Sequence, residues 1–95
     1  LIMGTRKPEL IEPVVVDRFF PSRDRKNVIT TTLQTFKGHT LVDLRKHVHD
    51  KEGKIHPTAK GITMKVTRLS DLQNAINKAL AKAQELGLLD GGETE

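Results

Sequence analysis

Cysteine is absent from this 95-residue chain, which removes disulfide frameworks, thiolate metal sites and thiol nucleophiles together and makes an intracellular protein the default expectation. Long hydrophobic runs are absent too. The longest, Pro13 to Val16 with its neighbours, falls far short of the roughly 20 residues needed to cross a bilayer, and the opening residues lack the charged-then-apolar pattern of a targeting signal. A soluble protein with no membrane partner is therefore expected. An activated nucleophile is also missing: Ser22 and Ser70 sit in a polar loop and at a helix start with no motif about them, so neither catalytic residues nor enzyme activity are expected. Four histidines are present, and His47 and His49 on one strand face with His56 opposite would form a conceivable metal site. Lacking cysteine and any anchoring carboxylate, they read instead as solvated strand histidines, with no metal and no cofactor.

What the chain does have is unevenly placed charge. The formal net charge is +4, yet residues 1–66 hold thirteen Lys and Arg against seven Asp and Glu, whereas residues 67–95 hold three against five. Clustered cations over the first two thirds fit a polyanionic partner, because they displace condensed counterions from a phosphate chain. A mildly basic surface with no ligand is the competing explanation.

Residues 1–26 read as an N-terminal arm with room for one short strand at Val14 to Phe20, stopped by Pro21, followed by the polar loop Ser22 to Asn27. Val28 to Phe36 is rich in Thr, Val and Ile and predicts a strand. Lys37 and Gly38 supply a turn. His39 to His49 then alternates, with Val42, Leu44 and Val48 on one face and Asp43, Arg45, His47 and His49 on the other. Asp50-Lys51-Glu52-Gly53 has the chemistry of a hairpin connection, Asp opening the turn and Gly taking the positive φ. In the next strand, Lys54 to about Lys65, Pro57 and Gly61 predict a bulge or an edge. Beyond Val66 the period becomes helical: Leu69, Leu72, Ile76, Ala79, Ala83 and Leu86 recur every three or four residues, and Leu80 broadens the stripe. Thr67 or Ser70 is expected to cap this helix, Ser70 with Gln73 forming a capping-box pattern, and Gly87 to stop it. The tail, residues 90–95, has nothing to bury and reads as disordered. The fold class is thus α+β: a curved four-stranded antiparallel meander followed by one amphipathic C-terminal helix, with residues 27–89 as the domain. One helix cannot cover two sheet faces, so the stripe is expected to serve as core or as the interface of a dimer.

From Val28 to Ile76 the order of pieces is specific: FKG at Phe36 to Gly38, the strand LVDLR at Leu41 to Arg45, the turn DKEGK at Asp50 to Lys54, PTAKGIT at Pro57 to Thr63, and then a helix. This combination resembles the single-stranded-DNA-binding domain of the transcriptional coactivator family known as positive cofactor 4. The resemblance implies a homodimer with a strand-lined channel per subunit for unpaired DNA, and transcription machinery as a further partner. Phe36 would stack on bases, Lys37, Arg45 and Lys60 would meet phosphates, and Gly61 would leave room for the bound strand. Four positions depart from the family pattern. His39 and His56 replace lysines, Ala59 stands where a basic residue is frequent, and Val48 stands where well-studied members carry tryptophan. Arg18, Arg23, Arg25 and Lys26 upstream would compensate for the lost charge. The histidine replacements predict affinity for single strands that rises as pH falls through about 6.5.

Each feature also has a plainer role. Phe36 would otherwise plug the core at a hairpin, Arg45 would pair with Asp43 or Asp50, and Lys37 and Lys60 would discourage edge pairing. RNA or duplex DNA as ligand, and a protein-interaction module on the same scaffold, stay open here; the slightly acidic helix counts against a duplex reader.

Overall fold

The computed structural model describes residues 8–89, so the first residues of the arm and the expected disorder of the tail lie outside the described residues. Four strands, β1 (Val14–Phe19), β2 (Asn27–Phe36), β3 (His39–His49) and β4 (Ile55–Lys65), precede a single 3-10 turn (Val66–Arg68) and the helix α1 (Leu69–Glu85). The strands form one antiparallel sheet in sequence order, so β1 and β4 are its edges. Such a meander follows from the short connections, since tight turns can join only antiparallel neighbours.

Turn chemistry sets the register. Lys37 and Gly38 have φ of 52° and 81°, the two positive angles that a two-residue hairpin turn matched to strand twist requires, and Phe36 consequently faces His39 across the first rung. At the β3–β4 turn the Asp50 carboxylate accepts from the backbone N–H of Glu52 and of Lys54, both at 2.8 Å, while Gly53 takes φ 85°. Pro57 and Gly61 do flank a bulge: Arg45 pairs with Gly61 and His47 with Pro57, so Thr58, Ala59 and Lys60 face the single residue Lys46. Proline removes the N–H that an unbroken ladder would use there.

Alternation divides the sheet. One face carries the β2–β3 rungs Val28–His47, Thr30–Arg45, Thr32–Asp43, Gln34–Leu41 and Phe36–His39; the other carries Ile29–Lys46, Thr31–Leu44 and Leu33–Val42. The buried set is small, with Val28 at 3%, Thr30 at 2% and Val42 at 1% exposure.

The helix start differs from expectation, and of the two roles expected of its stripe, core or dimer interface, the first is not met within the chain. Neither Thr67 nor Ser70 caps it: Arg68 occupies the N-cap with no side-chain cap hydrogen bond, because the preceding 3-10 turn already carries the chain into helical torsion and leaves Ser70 inside the first turn. Arg68 instead pairs with Asp71 at 2.8 Å, whose carboxylate suits the positive end of the helix dipole. The C-terminus stops as read, with Gly87 at φ 73° and Leu88 N–H donating to Ala83 O at 2.8 Å, the bond that closes a left-handed glycine cap. As for the stripe, α1 is not core within the chain. Its main neighbour is the 3-10 turn, with no extensive packing on a strand; no residue of it is buried, and Ile76, Leu80 and Leu86 are 56%, 49% and 60% exposed. The radius of gyration is 16.8 Å, against about 12 Å for a compact chain of this length.

Candidate nucleic-acid interface

The meander brings the residues singled out from the sequence to three places. Phe36, Lys37 and His39 share the β2–β3 turn at one end of the sheet. Arg45, Lys60 and Gly61 sit along the β3–β4 pair. Arg23, Arg25 and Lys26, in the β1–β2 loop, come to the opposite end, next to the β3–β4 turn and His56.

At the first end Phe36 does not plug a core: it is 58% exposed, and the Lys37 ammonium lies 5.3 Å from its ring centroid. The turn holds both groups in fixed relation, since Lys37 occupies a left-handed backbone conformation that lysine rarely adopts. An exposed flat ring with a cation beside it can stack on a base while the ammonium meets a phosphate.

In the middle, Arg45 is committed within the protein. Its Nη2 and Nε donate to the two oxygens of Asp43 at 2.8 and 3.1 Å, its Nη1 donates to the carbonyl oxygen of Thr58 at 3.0 Å, and Nη2 also reaches the Thr63 hydroxyl at 3.2 Å. The Thr63 hydroxyl in turn donates to Asp43 at 2.6 Å. These bonds hold the Asp43 carboxyl below its usual value, Arg45 contributing most and partial burial opposing. The Thr58 hydroxyl donates to Lys46 O at 2.7 Å and accepts from the Lys60 backbone N–H at 3.1 Å. The bulge is therefore pinned from both sides, and exposed Lys60 projects from a fixed backbone. Arg45 thus positions the bulge, and the plainer sequence reading, an ion pair with Asp43, is the one realised here.

Gly61 has a reason other than room for a ligand. A Cβ there would lie 2.6 Å from the Leu44 carbonyl oxygen and 2.9 Å from Arg45 Cα, so the backbone that needs the space is β3. His56 is also engaged: its Nε2 lies 2.7 Å from Asp50 Oδ2, which, with the two turn amides, holds the Asp50 carboxyl below its usual value. Any charge His56 carries is answered by Asp50 before a phosphate can use it. His56 pairs with Val48, so alternation turns it to the opposite face from His47 and His49, and among the described residues no group of three or more His, Asp or Glu could hold a metal.

The far end holds two residues that the sequence reading did not place in the site, Phe20 and His49. Their rings stack with centroids 6.4 Å apart and 26° between planes, and the Arg25 guanidinium lies 5.0 Å from the Phe20 centroid. The loop that carries Arg25 is ordered by Asp24, whose carboxylate accepts from the Ser22 hydroxyl at 2.9 Å and the Lys26 N–H at 3.0 Å. Phe20 was legible in part, as an aromatic at the start of the loop that carries Arg23, Arg25 and Lys26; His49 was not, because its neighbourhood depends on the meander.

No curated protein matches the chain. Among solved structures, the bacteriophage T5 homolog of the eukaryotic transcription coactivator PC4, a protein implicated in recombination-dependent DNA replication, superimposes with a TM-score of 0.57. It covers 77% of this chain and 85% of that one at 19% identity, a likeness of fold that includes the four-stranded open sheet and following helix. The family model for transcriptional coactivator p15 (PC4) matches residues 24–75, more than half of the chain, and the chain accordingly belongs to the PC4 family.

Proposed function

We propose that this protein binds single-stranded DNA with little sequence preference, as a homodimer inside the cell, holding melted or looped-out strands in a regulatory role in transcription and performing no covalent chemistry. The observation that carries the reading is Phe36, a ring 58% exposed at the tip of a rigid turn with a lysine ammonium over it. Exposing an aromatic ring to water is unfavourable unless something covers it, and a base offers a π-face of the right kind. The basic first two thirds of the chain, the fixed projection of Lys60 and membership of the PC4 family support the same ligand. Dimerisation is supported by the uncovered apolar stripe of α1 and by exposed Phe19 and Ile62 on one sheet face, 53% and 48% accessible, surfaces that a second copy would bury.

Fluorescence anisotropy with a labelled oligothymidine of about 20 nucleotides, the matching duplex and an oligouridine, each at two salt concentrations, tests the reading. Tighter binding to the single strand is expected, with log affinity falling against log salt by about 0.7 per phosphate contact. Phe36→Ala is expected to weaken it by about 1–3 kcal/mol. Equal affinity for oligouridine extends the ligand to RNA, preference for the duplex overturns the single-strand reading, and no binding to any of the three makes the sheet a protein-interaction surface.

A further inference from the structure

Among the described residues, Arg25 and Lys37 are the two non-glycine residues with positive φ, 58° and 52°. Both are cations, and each lies over an aromatic ring, Arg25 over Phe20 and Lys37 over Phe36. Left-handed backbone is unfavourable for a long side chain, and here turns impose it, the two-residue β2–β3 turn at Lys37 and the Asp24-braced loop at Arg25, so in each case the turn fixes a cation beside its ring. The same device therefore occurs twice, once at each end of the sheet.

Register puts the two on one face. Phe36 faces His39, and His39 and His49 stand ten residues apart at the two ends of the continuous strand β3, so by alternation His49, which stacks on Phe20, projects to the side of Phe36. At ~3.3 Å per step the two aromatic groups stand about 33 Å apart. Beside the Phe20–His49 stack runs an open groove of about 540 Å³ whose lining includes Arg25, Lys26, His49 and Lys51. Asp50 also lines it and keeps its negative charge, held by the Glu52 and Lys54 amides and by His56, but Arg25, Lys26 and Lys51 outnumber it and leave the groove cationic.

We infer that Phe20, His49, Arg25, Lys26 and Lys51 form a second nucleotide subsite, which stacks one base and neutralises its flanking phosphates, so that a bound single strand runs the length of the β2–β3 hairpin from Phe36 to Phe20. This inference rests on the single-strand reading above. At an axial rise of ~3.4 Å per nucleotide, as in a stacked helical strand, about ten nucleotides bridge the two rings, and a more extended strand needs fewer.

The test uses the full chain and a labelled 12-nucleotide oligothymidine, with circular dichroism to verify that each variant keeps its fold. Replacing Arg25, Lys26 and Lys51 together by Gln is expected to flatten the salt slope by about 2, three contacts at ~0.7 each. Phe20→Ala removes no charge; it is expected to weaken binding about fivefold or more with the slope unchanged. A control that removes two helix cations, Lys78→Gln with Lys82→Gln, is expected to leave affinity and slope as they were. If the triple variant and Phe20→Ala bind like wild type while Phe36→Ala weakens binding, the subsite is overturned and the single-strand function stands. Equal flattening by the helix control overturns it as well, since the effect would then be one of overall charge. Failure of the wild-type chain to bind the oligonucleotide overturns both readings.

Discussion

At Arg45 a guanidinium that could meet a phosphate instead makes four bonds inside the sheet, and its partner Asp43 shows the consequence most measurably. The Asp43 carboxyl is held below its usual value, first by Arg45 and then by the Thr63 hydroxyl, whereas in the unfolded chain it returns to the ordinary range near 3.8. A depressed folded value means that the native state resists protonation: the contribution to stability is complete above the unfolded value and disappears as pH falls through the lower folded one. Asp43→Asn is therefore expected to lower the urea midpoint at pH 7, since Arg45 loses its bidentate partner, and to shallow the further decline as pH falls below 3.8. Urea titrations at three pH values decide it, and parallel acid limbs in both proteins would show that the pair is energetically idle. Asp24 and Asp50 are also held low by their hydrogen bonds, so the variant retains part of the acid sensitivity.

Among the elements, β4 shows how a local sequence signal is correct in kind while its cause lies elsewhere. Pro57 and Gly61 mark the bulge legibly, because a missing N–H and a missing Cβ are properties of single residues. What the glycine accommodates is decided by the neighbouring strand, whose Leu44 carbonyl oxygen would stand 2.6 Å from an added Cβ. Gly61→Ala is expected to destabilise the fold by about 1–3 kcal/mol, the range for overpacking against atoms that cannot step aside, read as a lowered urea midpoint. An unchanged midpoint would mean that the β3–β4 pair opens to admit the methyl group. Lys60 lies on this pinned segment, next to Gly61, so the same variant is expected to weaken oligothymidine binding through displacement of Lys60.

Considered whole, the chain buries few side chains and leaves many large apolar ones exposed. No residue of the 17-residue helix is buried, and its apolar stripe is exposed; a helix without a packed face gains little of the tertiary packing that stabilises most helices. A dimer resolves this if helices or sheet faces from two chains cover one another, and stability then depends on protein concentration. Ile76→Asp, which puts a charge in the middle of the stripe, is expected to shift sedimentation equilibrium toward monomer and to reduce helical circular dichroism. A monomeric wild type whose melting temperature is independent of concentration would contradict the dimer. The PC4 family membership gives the open sheet and helix a shared architecture; the covering surface is what this measurement addresses.

Much of the fold was legible because it depends on torsions and on near neighbours. Alternation gave β3 two chemically different faces, positive-φ turns ended β2 and β3, and three-four spacing with Gly87 bounded α1; each is settled by a few residues whose backbone preferences act on the spot. The cap was misread for the converse reason, since a preceding 3-10 turn, not a side chain, delivers the chain into the helix. The contact of Arg45 with Asp43 was legible because the two stand two residues apart on one face of β3. Phe20 meeting His49, Thr58 meeting Arg45 and His56 meeting Asp50 needed the strand register, which adds up contributions along whole hairpins and around a bulge. The amino-acid sequence by itself thus determined the strands, the turns, the helical stripe and the basic character of the surface. Tertiary structure alone decided which cations remain available, which rings share a face, and that the helix leaves the sheet uncovered, because those outcomes depend on distances across strands that chain order does not encode.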